Sequence, residues 1–134
     1  MKIFLLFYLA ALSIGSSFLF QDKELEKSIQ RGQEIYADFC VTCHLTKGEG
    51  VQNAFPPLAK SDYLVKNREE SIKGIAFGQK GELVVNGVTY NGTMPPMGLE
   101  DEEIADVMNY ILNSWGNHSK KMVTSEEVAG LTQK

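Results

Sequence analysis

The chain has 134 residues, 43% of them apolar, which suits one modest domain built around a single core. Its 17 acidic residues outnumber 13 basic ones, for a net charge of -4. It contains no Lys/Arg cluster of the kind that binds a phosphate backbone, so no nucleic acid is expected as a partner.

Met1 and Lys2 open a run, IFLLFYLAALSIGSSFLF, that meets no charge until Asp22. Residues 1–20 therefore read as a signal peptide, with the small residues Gly15, Ser16 and Ser17 after an apolar core, or as an uncleaved N-terminal anchor. Both readings export the rest of the chain to a periplasmic or other extracytoplasmic space. The second also ties it to the outer face of the cytoplasmic membrane.

From Lys23 to Phe39, Leu25, Ile29, Gly32, Tyr36 and Phe39 recur at steps of four and three and predict an amphipathic helix ending at the cysteines. Residues 45–60, LTKGEGVQNAFPPLAK, carry neither helical nor strand period and read as loop. Ser61 is placed to cap a short turn through DYLV. Asn67 with Glu70 resembles a capping box opening a helix over Arg68–Phe77, with Gly78 near its end.

In GELVVNGVTYNGT, β-branched residues flank an Asn-Gly pair, a hairpin signal over 81–93. After MPPMG, the apolar positions Ile104, Val107, Met108, Ile111, Leu112 and Trp115 predict a helix over Glu100–Trp115. Its acidic first turn suits the positive end of the helix dipole. Thr124 with Glu127 predicts a short tail helix to Leu131. The division expected is a leader or anchor over 1–20, one domain over 21–118, and a tail over 119–134.

Both cysteines lie in CVTCH, as Cys40 and Cys43, followed at once by His44. A disulfide between them closes a very small loop and leaves His44 without a role. A thiol redox pair wants a βαβ setting, and the approach to Cys40 is helical. Zinc wants four ligands, and His118 is the one remaining Cys or His, set among Asn117, Ser119 and Lys120 as a surface residue. Covalent haem attachment uses all three residues: both thiols add to the porphyrin vinyl groups, and the imidazole ligates the iron.

The segments CVTCH, FPPLAKSDYL, YNGTMPPMG and EIADVMNYILNSWGN stand in one order along the chain, and together they resemble class I c-type cytochromes. The likeness is to the single-haem modules found with periplasmic dehydrogenases, nitrite reductases and terminal oxidases, and it covers Lys23 to Trp115. It implies an all-α cytochrome c fold: three to four helices around one haem c, with a small hairpin before the methionine loop. It also implies a sixth iron ligand at Met94, followed by Pro95, with Met97 as competitor. Independently, a thioether is a soft ligand that favours reduced iron and raises the potential.

Further implied roles are a Pro56 carbonyl, or that of Pro57, on the His44 Nδ1–H, and Leu58 against the porphyrin. Gly32 and Tyr36 match the first helix of the family's helix crossing, and Val107 and Tyr110 match the last. Tyr90 and Trp115 read as packing residues, with contact to the haem propionates as the alternative. Relatives often carry Ser or Thr where Glu100 stands, which leaves that helix start less firmly fixed.

The implied function is one-electron transfer between a redox protein donor and acceptor. Alternatives are a haem-bearing subunit of a larger periplasmic oxidoreductase, or a haem enzyme or sensor with a labile methionine.

Overall fold

The computed structural model describes residues 22–133. The leader or anchor expected over 1–20 lies outside them. The elements run α1 (22–39), α2 (Val41–His44), α3 (Asp62–Lys66), α4 (Arg68–Phe77), β1 (Gln79–Val85), β2 (Val88–Met94), α5 (Asp101–Ile111) and α6 (Ser125–Thr132). Helices α1, α4, α5 and α6 enclose the core, and the two strands form a lone antiparallel hairpin. No described helix is long and apolar enough to cross a membrane.

The buried stripe of α1 is Ser28, Gly32, Tyr36 and, just beyond its end, Cys40, four residues apart each time. Phe39, expected on that stripe, is instead about half exposed. At the crossing with α5, a Cβ on Gly32 would stand 2.0 Å from the Asp106 carbonyl oxygen and 2.9 Å from Tyr110 Cβ. Only a hydrogen at that position lets the backbones meet. Tyr36 then packs on Tyr110 at 5.4 Å and on Trp115 at 4.9 Å between ring centroids.

The same crossing carries a polar network that the apolar periodicity conceals. Asp106, 4% exposed, accepts from Ser28 Oγ at 2.6 Å and from Arg31 Nη2 at 2.8 Å. Asn109 donates to Ser28 Oγ at 2.8 Å and to the Val123 carbonyl at 2.9 Å, and accepts the Val123 N–H at 2.7 Å. A buried carboxylate is tolerated because each contact is charge-assisted or part of a satisfied chain. The network joins α1, α5 and the segment leading to α6.

Several expected boundaries move. Helix α5 stops at Ile111, four residues before Trp115, because Asn113 and Asn117 turn back to the carbonyls of Asn109 and Ile111 at 2.9 Å each. Trp115 follows in a left-handed turn, φ 53°, yet still reaches the aromatic cluster. Asn67 stands at the N-cap of α4, but its side chain makes no capping bond there. Its side chain donates to the Tyr63 carbonyl at 3.3 Å, closing α3 instead. Glu100, expected to fix its helix less firmly, is held by Glu103, whose carboxylate accepts the Glu100 N–H at 2.9 Å. Ser61 caps α3 as anticipated, accepting from Leu64 N.

Thr124 caps α6, accepting the Glu127 N–H at 3.2 Å, but Glu127 does not complete the box. Its carboxylate takes a two-pronged contact from Arg68 in α4, at 2.7 and 2.8 Å, and Arg68 also donates to the Lys121 and Met122 carbonyls. With Val123 and Val128 fully buried, the segment after 118 is a packed wall of the domain.

The Arg68 guanidinium holds the Glu127 carboxyl below its ordinary value. That stabilisation is therefore complete above about pH 4.5, where the unfolded carboxyl is ionised, and is lost as pH falls through the lower folded value. Glu127→Gln is expected to cost about 1–3 kcal/mol near neutrality and much less at pH 3. Denaturant midpoints of the two proteins at each pH check this.

Candidate functional site: an apolar cleft with two thiols, an imidazole and a thioether

Helix α2 is one turn of four residues set on the end of α1. The backbone N–H of His44 donates to the Cys40 carbonyl at 2.9 Å, which brings Cys40, Cys43 and His44 to one side of that turn. Both cysteines are free thiols. Burial, with a smaller contribution from Cys43, pushes the Cys40 thiol up to about 11, so it is protonated at neutral pH.

His44 is 8% exposed, and its Nδ1–H donates to the Pro56 carbonyl at 3.0 Å. Burial lowers its pKa, and the Pro56 bond opposes that shift in part. The neutral imidazole thus keeps Nδ1 for Pro56 and has Nε2 as its remaining acceptor. Pro56 is carried by a tight loop in which Gly48 accepts from Leu58 N and Ala59 N at 2.7 and 2.8 Å. The Pro57 carbonyl, the other candidate, makes no bond to His44 in this arrangement.

Opposite this turn stands the hairpin. Asn86 and Gly87, both at positive φ, form the two-residue turn that the right-handed strand twist favours. Asn86 also exchanges two hydrogen bonds with Asp62, 2.9 and 2.7 Å, docking the hairpin tip on α3. Alternate residues Gln79, Gly81 and Leu83 of β1, with Tyr90, Gly92 and Met94 of β2, face the cleft.

Met94 is the last residue of β2 and is held by Gly78. That glycine ends α4 at φ 79°, and a Cβ there would lie 2.7 Å from the Met94 carbonyl and 2.9 Å from Pro96 N. Hairpin and methionine loop are therefore clamped directly to α4.

Between the two walls lie an outer cavity of about 260 Å³ and an inner one of about 80 Å³. Cys40, His44, Pro56 and Met94 border both, while Cys43, Met97 and Tyr90 border the outer one and Leu58 the inner one. No Asp, Glu, Lys or Arg lines either. The combined space is of the order, roughly 300–1,000 Å³, that buries a cofactor-sized ligand.

Trp115 and His118 stand apart: Trp115 packs on Gly48 and the tyrosines, and His118 is exposed. Among the described residues no three His, Cys, Asp or Glu side chains converge as an ion site, so the zinc alternative lacks a ligand set.

A helical domain with a thiol–thiol–imidazole turn facing a thioether across an apolar cleft has the layout of a haem-binding redox protein. The family model described as Cytochrome c matches residues 29–115, and the chain belongs to the cytochrome c family. It is 42% identical to "Cytochrome c-552" of Thermus thermophilus over 112 residues, 77% of this chain and 85% of that one. It is 28% identical to "Alcohol dehydrogenase (quinone), cytochrome c subunit" of Gluconobacter oxydans (strain 621H), over 75% of this chain and 21% of that one. With "Gluconate 2-dehydrogenase cytochrome c subunit" of Pantoea cypripedii the identity is 32%, over 83% of this chain and 27% of the relative. The fold is the cytochrome c fold, mostly helical with a small hairpin.

Proposed function

We propose that the chain is a one-electron carrier holding a single haem c, thioether-linked through Cys40 and Cys43, with His44 and Met94 as axial ligands. The observation that carries this is the convergence of these four side chains on one uncharged cleft. The donor set fits the group: two free thiols for the vinyl carbons, a neutral imidazole and a soft sulfur for the iron. When bound, haem supplies an iron centre that alternates between ferrous and ferric states.

The chain's own residues set how that centre behaves. Pro56 fixes the His44 ring and its tautomer, so Nε2 is the nitrogen that would hold the iron. Pro95 keeps Met94 in extended backbone, and Gly78 fixes where its main chain lies. Leu58, Phe55 and Leu83 exclude water, which strengthens every charge interaction inside the cleft. With His44 and Met94 both holding the iron, no position would be left for a substrate, and the chain would act as a carrier rather than an enzyme.

Met94 borders both cavities and Met97 only the outer one, which favours Met94 as the ligand. Haem-loaded Met94→Ala is expected to become high-spin when ferrous and to bind carbon monoxide, with its reduction potential lowered. Met97→Ala is expected to retain the parent spectrum. Optical spectra of both variants check this, and the opposite pattern overturns the assignment.

On this reading residues 1–20 direct the chain out of the cytoplasm, as a cleaved leader or an anchor, and its partners are redox proteins. A second reading is a haem-bearing subunit of a dehydrogenase. The relatives from Gluconobacter and Pantoea favour it, although this chain spans only 21% and 27% of their lengths. Copurification with a dehydrogenase from native membranes distinguishes the two.

A further inference from the structure

The chain reverses sharply after α5. Trp115 and Gly116 both lie at positive φ, 53° and 90°, and the turn they make brings the half-buried Asn117 back against the loop that carries Pro56. Its carboxamide nitrogen donates to two carbonyls, that of Leu58 at 2.8 Å and that of Ile111 at 2.9 Å. Both amide hydrogens are thereby committed. One side chain ties the proline loop to the last turn of α5.

The tie bears on His44 through a stiff segment. Leu58 has both main-chain groups held, its N–H by the Gly48 carbonyl at 2.7 Å and its own carbonyl by Asn117. Between Leu58 and the carbonyl that receives the His44 Nδ1–H stands only Pro57. A proline ring fixes φ, and a residue that precedes a proline is confined to extended backbone, so the segment absorbs little of a movement at Leu58. Such a movement is passed on to the Pro56 carbonyl. Trp115 seats the same loop, since its ring lies on Gly48, where a Cβ would stand 2.5 Å from Cε3.

We propose that Asn117 is a positioning residue for the proximal ligand: by fixing Leu58 it holds the Pro56 carbonyl on the His44 Nδ1–H and keeps the reduction potential down. The inference rests on His44 holding the iron. A hydrogen bond given by Nδ1 makes Nε2 a more basic donor, and a more basic donor favours the ferric state, which carries the higher charge. Freeing Leu58 weakens that bond and raises the potential.

The test uses the haem-loaded protein. Asn117→Leu is expected to speed solvent exchange of the His44 Nδ1 proton, followed by proton NMR of the ferrous form. It is also expected to raise the ferrous-to-ferric ratio at the parent's midpoint roughly two- to fivefold, tenfold being about 59 mV for one electron. Asn117→Ala behaves alike. Asn113→Ala is the control: its side chain bonds the Asn109 carbonyl and the Ser119 N–H at the same end of α5, away from the proline loop. It is expected to lower the thermal midpoint while leaving proton exchange and potential at parent values. Parent values of both in the Asn117 variants overturn the proposal and leave His44 as ligand, as does an equal shift in Asn113→Ala. A parent whose His44 ring protons lack the upfield ring-current shift of an axial ligand overturns the proposed ligation, and this proposal with it.

Discussion

A Cys40→Ala/Cys43→Ala protein, made in a host that matures c-type haem, is expected to carry no covalent haem and to lose its native fold. The two effects are linked because the cleft wall is the inner surface of the domain. His44, Pro56, Leu58, Leu64, Ile75, Met108 and Ile111 all border the cavities, so on the proposed reading a haem would cover the inner face of the core. Binding to the folded state alone stabilises it by mass action, and a covalent link makes that contribution permanent. On the proposed attachment, single substitutions would leave one thioether site and His44 as a ligand. They are expected to retain haem with reduced yield and a lowered thermal midpoint. Haem content after acid–acetone extraction, beside far-ultraviolet circular dichroism, checks both parts.

The second large effect is steric and lies away from the cleft. Gly32→Ala places a methyl group 2.0 Å from the Asp106 carbonyl oxygen, where no rotamer can relieve it. Helix α1 must then withdraw from α5, which loosens the Ser28 and Arg31 contacts to Asp106 and the Tyr36–Tyr110 packing together. A cost of at least about 3 kcal/mol is expected, at the upper end of overpacking effects. That corresponds to a fall of roughly 10–20 °C in thermal midpoint. Gly130→Ala in α6 is the control. Nothing lies within 4 Å of its added methyl group, and removing a helical glycine is expected to leave the midpoint level or raise it slightly. Equal midpoints for Gly32→Ala and the parent contradict the close crossing.

Local signals in the chain were readable wherever the physics is local. The Asn-Gly pair announced the hairpin because few residues accept positive φ in succession, and the strands extend to Gln79 and Met94 on either side. The end of α4 followed from Gly78, and CVTCH favoured haem attachment because that chemistry uses all three residues, with the resemblance of the later segments adding the rest. Contacts between residues far apart were not readable. Asp106 sits in the apolar run of α5, where a lone acid signals a buried partner, but nothing local points to Arg31, 75 residues away. Arg68 and Glu127, 59 apart, are likewise invisible to periodicity, and their pairing is what turns the tail into a wall of the domain. The early stop of α5 escaped for another reason: Trp115 continues the apolar period although the chain has already turned.

The central claim is that the iron is saturated by His44 and Met94 and passes single electrons. An optical redox titration of the haem-loaded protein, repeated under carbon monoxide, tests it most directly. The account predicts one reversible one-electron transition, low-spin spectra in both states, and no change on adding the gas. A ferrous form that binds carbon monoxide, or no reversible transition, contradicts it.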